Sequence, residues 1–358
     1  MAMQETDLRA DGGSRGAAAG TPPTPDRILQ LGWGFWGSKA LLSAVELGVF
    51  TELATAPLDA EELRVRLGLH PRGARDFFDA LVALGMLERT DGRYRNTSDA
   101  GRFLDRARPS YLGGLFEMAN AGLYPAWGNL TDALRTGQPQ TPQAGGSFFA
   151  ALYADPVRLR RFLLGMTGAS LSAAGPIVRT FPWDRYRTFL DVGTAQGCLP
   201  VELARAHPHL RGSGLDVPAV RPIFEEYVAA FGLSERLRFQ AADFFEDPLP
   251  AADVLVMGQI LQDWDLERNR LLLAKAYAAL PEGGALIIYE PMIDDERREN
   301  AFGLLMSLNL QVVLPGGFSA TGAEIRGWLR DAGFRDTTLQ PLVGAGSMVV
   351  WSMVVGVK

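Results

Sequence analysis

Past Phe181 the chain changes rhythm, and that change constrains its fold more than any other feature. "TFLDVG", "RGSGLDV", "LRFQAADF", "ADVLVMGQIL" and "ALIIYEP" are short apolar runs, and "LPVELARAH", "RPIFEEYVAAFG" and "DLERNRLLLAKAYAAL" between them read as helices. Strands that alternate with helices form a parallel, doubly wound α/β sheet. "AEIRGWLRDAGF" is a further helix, and "DTTLQPLVGAGSMVVWSMVVG" closes the chain as two strands around a Gly-rich turn.

Ahead of the sheet the pattern is helical. Residues 1–25 are small, polar and Gly-rich without the apolar core of a signal peptide, and read as a disordered tail. In residues 26–110, Ile28, Leu31, Phe35, Ala40, Leu41, Ala44, Val45 and Leu47 recur at helical spacing on more sides than an exposed helix needs. That stretch is expected to be buried, against a second copy of the chain. Asp59 caps a short helix running to Leu67, "HPRGARDFFDALVALGML" is a longer amphipathic one, and "LERTDGRYRNT" is a hairpin turning at Asp91-Gly92. Helix, helix, hairpin is a winged-helix pattern. Residues 111–180 form a helical linker and pocket region with a break at "TGQPQTPQAGGS", and residues 181–358 hold the sheet.

Of 358 residues 47% are hydrophobic, enough for two or three domains. A net charge of −6 argues against a broad nucleic-acid or anionic-membrane surface. The single cysteine, Cys198, excludes an internal disulfide, and no apolar run reaches the ~20 residues of a membrane span. The expectation is a cytoplasmic protein.

Ligands of such sheets bind beyond the carboxyl ends of the strands. There the first strand ends in Asp191 and turns through Gly193 and Gly197, whose lack of side chains lets a ligand approach the backbone. Asp216 ends the second strand, where a carboxylate accepts from ribose hydroxyls. Asp243 follows the third, placed to meet an adenine amine, with Phe244 to cover the ring. Gln259, in "MGQILQDWD" after the fourth strand, joins the same set. The turn reads G-T-A-Q-G, with Ala195 where a dinucleotide fingerprint has its middle glycine, and no Walker Lys-Ser/Thr follows. An adenosine ligand without phosphate fits: S-adenosylmethionine.

With these motifs the chain resembles the small-molecule O-methyltransferases of the plant caffeate type and their bacterial antibiotic-tailoring relatives. The resemblance runs from residue 26 to 358 and rests on "DVGTAQG", "LDVPAV", "ADFF", "QILQDWD" and the closing hairpin. It implies a Rossmann-like class I methyltransferase domain behind an N-terminal winged-helix dimerisation domain, a homodimer interlocked through its N-terminal helices, and a pocket between the domains. It also implies a histidine before the Asp-Trp of the fourth-strand motif that takes the acceptor's proton, flanked by two acidic residues. Here that histidine is Gln262, beside Asp263; one acidic position is Glu290 and the other is Ser319.

A carboxamide takes no proton near neutral pH. His207 and His209 lie in a loop at the far end of the sheet, and His70 starts a helix, so none replaces the base. General base catalysis contributes about 10²–10⁴-fold, and positioning contributes more, roughly 7–11 kcal/mol. Transfer therefore survives, but a phenol of pKa ~10 is only about 0.1% ionised at pH 7, which favours acidic phenols, carboxylates, amines or electron-rich ring carbons unless Glu290 serves as base. Met118, Asn120, Trp127, Phe302, Met306 and Asn309 are the expected pocket walls, with an aromatic or polyketide-derived acceptor, and Cys198 is a packed helix-start residue. The leading reading is O- or C-methylation of a small aromatic metabolite. A relative that keeps S-adenosylmethionine but catalyses hydroxylation or rearrangement is the alternative that Gln262 and Ser319 suggest, and a DNA-binding regulator is the one the winged segment suggests.

Overall fold

The computed structural model describes residues 23–108, 110–141, 148–342 and 350–358. Most of the expected N-terminal tail, much of the 136–147 break and the turn of the closing hairpin lie outside these residues.

The first helix, Asp26–Leu47, ends on Gly48 in the left-handed conformation. Its second half packs on the domain through Leu42, Ala44 and Val45, but Ile28, Leu31, Trp33, Phe35 and Trp36 stand exposed. The burial expected from its composition is thus not met within one chain. Asp59 caps Ala60–Arg66 with a capping box closed by Glu62, and His70 caps Pro71–Ala83 by accepting from Arg72 N. The hairpin β2 (Leu87–Thr90) and β3 (Arg93–Asn96) follows, with β1 (Leu58–Asp59) added beside β3. Phe50, Phe78, Leu81 and Tyr94 fill the small core between them.

A helix from Gly113 to Trp127 is interrupted by a π-turn at Ala119–Leu123. The long helix Pro156–Thr180 then leads into the sheet. That sheet has seven strands in the order β6-β5-β4-β7-β8-β10-β9, with β4 Thr188–Val192, β5 Arg211–Asp216, β6 Leu237–Ala241, β7 Val254–Gly258, β8 Ala285–Glu290, β9 Asp336–Leu342 and β10 Trp351–Val357. β4 to β8 pair parallel, and β10 pairs antiparallel with β8 and β9. The chain reverses its winding at β4, between β5 and β7, and this creates a crevice at the carboxyl ends of those strands.

One local reading is corrected. The fourth strand stops at Gly258 rather than running through Leu261, because Gln259 takes φ 57 and a 3-10 turn, Leu261–Asp263, follows. His207 and His209 lie in the loop before β5, half-buried and exposed in turn, and Nε2 of each donates to a carbonyl, of Val178 and Trp183, both at 3.1 Å.

Candidate functional site

The turn after β4 is built from three positive-φ residues in alternation, Gly193 (69°), Ala195 (51°) and Gly197 (91°). A Cβ on Gly193 would stand 2.3 Å from Ile260 Cδ1, and one on Gly197 2.7 Å from Phe224 Cε2, so both positions require glycine. Ala195 tolerates its conformation because its N–H is held by Asp216 Oδ2 at 2.9 Å. The other Asp216 oxygen accepts from Val217 N at 2.8 Å. Each oxygen keeps a second lone pair. Burial lifts the Asp216 carboxyl to about 6 against the pull of those two amides. Asp191 is buried as well, accepts from Thr194 Oγ1 at 2.8 Å, and is pushed by burial to about 7.

The neighbouring strand ends converge on this turn. Phe244 approaches to 3.9 Å of where a Gly193 Cβ would lie. Asp243 is exposed beside it and accepts from Phe245 N at 2.8 Å. Gln259 donates to Ser170 Oγ at 3.2 Å, and Gln196 accepts from Thr167 Oγ1 at 2.8 Å, so the long helix is tied across the turn at two points.

Four groups the sequence reading did not single out stand here: Thr167 and Ser170 on that helix, and Phe149 and Tyr153 on the helix Phe148–Tyr153. Phe149 stacks between Tyr153 (6.1 Å) and Trp264 (5.5 Å). Burial, followed by the carboxylates of Asp216, Asp263 and Asp243, holds the Tyr153 phenol far above its ordinary range, so Tyr153 spans the two halves of the site. The available signal was the i, i+4 aromatic pair opening a helix after a Gly-rich break.

The second half of the site is the 3-10 turn after β7. Asn269 fixes it by donating to Leu261 O (2.9 Å) and Trp264 O (3.3 Å). Gln262 is buried; its N–H donates to Glu290 Oε1 at 3.1 Å, and its carbonyl accepts from Phe318 N at 2.8 Å. Burial raises the Glu290 carboxyl to about 7, although the amides of Gln262 and Leu261 oppose it. Burial and the Glu290 carboxylate together push Asp263 well above the carboxylate range. Neither Gln262 Oε1 nor Ser319 Oγ has a partner.

Of the expected walls, Trp127 Nε1 donates to Asn309 Oδ1 at 2.8 Å, and Asn309 contacts Met306 Sδ at 3.9 Å. Met306, Phe148 and Phe149 all pack against the buried cluster of Leu310, Val313 and Leu314, which joins this group to the aromatic stack. Phe302 lies half-buried on the same helix, Ala301–Val313, and Met118 half-buried on Gly113–Met118. Asn120 is different. Its amide donates to Glu46 Oε2 at 2.6 Å and accepts from Lys39 Nζ, so its hydrogen-bond partners are supplied by the first helix. Cys198 opens the helix Cys198–Ala206, buried, with its thiol pushed up to about 12. Among the described residues no group of side chains has the make-up of a metal site, and no helix is long and apolar enough to cross a membrane.

Residues 29–106 match the model of the O-methyltransferase dimerisation domain, and residues 127–335 that of the O-methyltransferase domain. The tetracenomycin polyketide synthesis 8-O-methyl transferase of Streptomyces glaucescens is 46% identical over 91% of this chain and 96% of its own length. The 3-hydroxy-5-methyl-1-naphthoate 3-O-methyltransferase of Streptomyces sahachiroi is 37% identical over 96% and 99%. The structure of human N-acetylserotonin methyltransferase in complex with S-adenosylmethionine superposes with a TM-score of 0.85 at 27% identity, covering 95% of this chain and 99% of that one. These relatives fit methyl transfer, and neither the reading without it nor the DNA-binding regulator.

Proposed function

The chain belongs to the O-methyltransferase family, and from that premise we propose that it methylates a hydroxyl of a small aromatic, polyketide-derived metabolite, with S-adenosylmethionine as donor. The observation that carries this reading is the Gly193–Gly197 turn, latched by Ala195 to Asp216 and lying one strand from the buried Gln262–Glu290 contact. The cofactor fits what is there. The glycine cradle has no room for side chains, Asp216 has lone pairs left for a ribose diol, and no cation lies in residues 191–198 to meet a phosphate. Asp191, Gly193, Gly197, Asp216, Asp243, Phe244 and Gln259 would hold it. When bound, it supplies an electrophilic methyl group on a sulfonium.

The chain's own residues orient the acceptor and move its proton. Gln262 receives the acceptor hydroxyl without titrating. Glu290, at about 7, is half ionised near neutrality and takes the proton that the hydroxyl loses as the new O–C bond forms. Asp263 beside it is pushed well above the carboxylate range by burial and by the Glu290 carboxylate. Met118, Trp127, Phe302, Met306 and Asn309 enclose the acceptor, while Asn120 anchors the pocket helix to the first helix. Oxygen is preferred over carbon as the acceptor atom because two of the bacterial relatives are an 8-O- and a 3-O-methyltransferase.

The acting form is a homodimer. Support comes from the dimerisation-domain match, from the exposed Trp33, Phe35 and Trp36, and from a groove of about 530 Å3 that Phe35, Trp36, Leu47, Phe77 and Tyr124 help to line. We retain the division into 26–110 (dimerisation), 111–180 (pocket) and 181–358 (cofactor). A cytoplasmic setting accords with the free, buried Cys198, and the net charge of −6 speaks against nucleic acid or anionic membrane as partner. The test is transfer of labelled methyl to a panel of naphthols, with S-adenosylhomocysteine quantified. One equivalent per product supports the reading, and label recovered on carbon or nitrogen alone rejects the O-acceptor.

A further inference from the structure

Two polar side chains at the acceptor end are buried with an atom unpaired. Gln262 is 6% exposed and Ser319 3%, and neither Gln262 Oε1 nor Ser319 Oγ has a partner. Folding seldom leaves such atoms without a reason, because burying a polar group unpaired costs more than pairing it returns. Among the described residues the other unpartnered buried oxygens, Asn96 Oδ1 and Asn269 Oδ1, belong to amides already anchored through nitrogen, to Phe50 O and to Leu261 O.

The two atoms sit on adjoining backbone. Phe318 N donates to Gln262 O at 2.8 Å, and Gly317 comes so close that a Cβ there would stand 3.0 Å from the same oxygen. Segment 317–319 therefore lies flat against the Leu261–Asp263 turn. Ser319 is fixed from behind, its N–H on Ser307 Oγ at 3.2 Å.

Their chemistry specifies what completes them. Gln262 Oε1 only accepts, so it needs a hydroxyl or amine hydrogen; Ser319 Oγ–H can donate to a second oxygen. The two sides are not equivalent. Behind Gln262 stands the Glu290 carboxyl, able to receive a proton, whereas Ser319 is backed by the Ser307 hydroxyl. The oxygen that must shed a proton thus belongs on the Gln262 side.

We propose that Gln262 and Ser319 select an acceptor whose reacting hydroxyl is flanked, ortho or peri, by a second oxygen: Gln262 Oε1 accepts from the reacting hydroxyl, and Ser319 Oγ–H donates to its neighbour. This rests on the methyl-transfer reading above and narrows its substrate class. In such a molecule the two oxygens bond to each other. The pair of side chains replaces that internal bond with two of its own and leaves a lone pair of the reacting oxygen free. Once methylated, that oxygen has no hydrogen for Gln262, which favours product release.

The experiment compares two isomers of one formula, 2,3-dihydroxynaphthalene (flanked) and 2,7-dihydroxynaphthalene (unflanked), on the full-length protein. kcat and KM are measured with S-adenosylmethionine, and Kd by calorimetry with S-adenosylhomocysteine, for wild type, Ser319→Ala and Gln262→Leu. The wild type should prefer the flanked isomer by roughly tenfold to a hundredfold. Ser319→Ala should bring that ratio to about one through KM and Kd, with the unflanked isomer changed by no more than about twofold. Gln262→Leu should weaken both isomers alike. A wild-type ratio near one, an unchanged ratio in Ser319→Ala, or an equal loss on both isomers in that variant (a water-holding hydroxyl only) overturns the inference. If no phenol is methylated, the methyl-transfer reading fails instead, and the Kd ratio still decides this one.

Discussion

Restoring the missing base is the sharpest perturbation the site offers. In Gln262→His the backbone bond from residue 262 N to Glu290 Oε1, 3.1 Å, does not depend on the side chain, so the turn should keep its place. Asn269 holds the same turn from the other side. A general base contributes about 10²–10⁴-fold, or ~3–5 kcal/mol. The new imidazole would have Glu290 to orient it but only the neutral Ser319 where the family resemblance expects a second carboxylate. Losing one orienting hydrogen bond removes about 1 kcal/mol, roughly fivefold to tenfold. The net expectation is a rise in kcat of about 10–10³-fold on a simple phenol such as 2-naphthol. The sign of the pH effect follows from imidazole chemistry: the base works when neutral, so the gain should appear as pH rises through about 6.5 and persist above it. The assay is initial rate at saturating S-adenosylmethionine from pH 5.5 to 9, with S-adenosylhomocysteine release and circular dichroism as controls. An unchanged kcat in a folded, cofactor-binding variant would refute the placement of Gln262 against the reacting oxygen.

Other consequences are independent of that one. Asp216→Ala removes the latch on Ala195 N and the ribose acceptor, and should weaken S-adenosylhomocysteine by about 1–3 kcal/mol in calorimetry; unchanged affinity in a folded variant would exclude Asp216 from the cofactor site. In the wild type that affinity should fall as pH drops through about 6, where Asp216 becomes protonated, with proton release on binding visible as a buffer-dependent heat. Asp191 and Glu290 have folded values near 7, above their unfolded ones, so their contribution to stability is full below about 4 and is lost as pH climbs through 7. Thermal melts of the cofactor-free protein should show that decline, and Glu290→Gln should flatten it. Trp33→Ser with Trp36→Ser should turn a sedimenting dimer into monomer at micromolar concentration; a wild type that is already monomeric contradicts the assembly proposed here. Asn269→Ala should lower kcat more than it raises the KM for cofactor, because it frees the turn that carries Gln262 and leaves the glycine turn intact.

What could be read from the chain was what depends on short spans. The alternation of strands, the Gly193 and Gly197 spacing and Asp216 at a strand end are local patterns, and each reappears in place because parallel βαβ connections leave little choice of topology. What could not be read depends on residues far apart in sequence. Thr167 and Ser170 meet Gln196 and Gln259 across 29 and 89 positions, and no periodicity signals that. Asn120 was expected as a pocket wall because its partners, Lys39 and Glu46, lie 81 and 74 positions earlier and leave no local signal. The run "QIL" looked like strand because its residues are apolar. A left-handed Gln259 ends the strand instead, since its N–H must reach Tyr289 O while the chain turns toward Glu290. The first helix was judged buried on composition, and its exposed aromatics show that burial can be a property of an assembly rather than of one chain.

The two departures at the acceptor site make physical sense only together. The family resemblance expects a histidine between two acidic residues, an arrangement in which a cationic imidazolium offsets buried negative charge. Replacing the histidine alone would leave two acidic residues and Asp263 in one buried volume without a cation, and like charges at that depth raise one another's proton affinity. Replacing both His by Gln262 and the second acid by Ser319 removes one potential cation and one anion, so the local charge balance is kept. What remains is a neighbouring pair of buried carboxyls: burial raises Glu290 to about 7, and burial together with the Glu290 carboxylate pushes Asp263 well above the carboxylate range. The site has thereby exchanged a titrating base at the acceptor oxygen for two neutral hydrogen-bonding atoms, with the titrating group set one residue behind them. Selectivity in such a site comes from which oxygens match Gln262 Oε1 and Ser319 Oγ, and rate comes from how readily Glu290 receives the proton, so the two should respond to different substitutions.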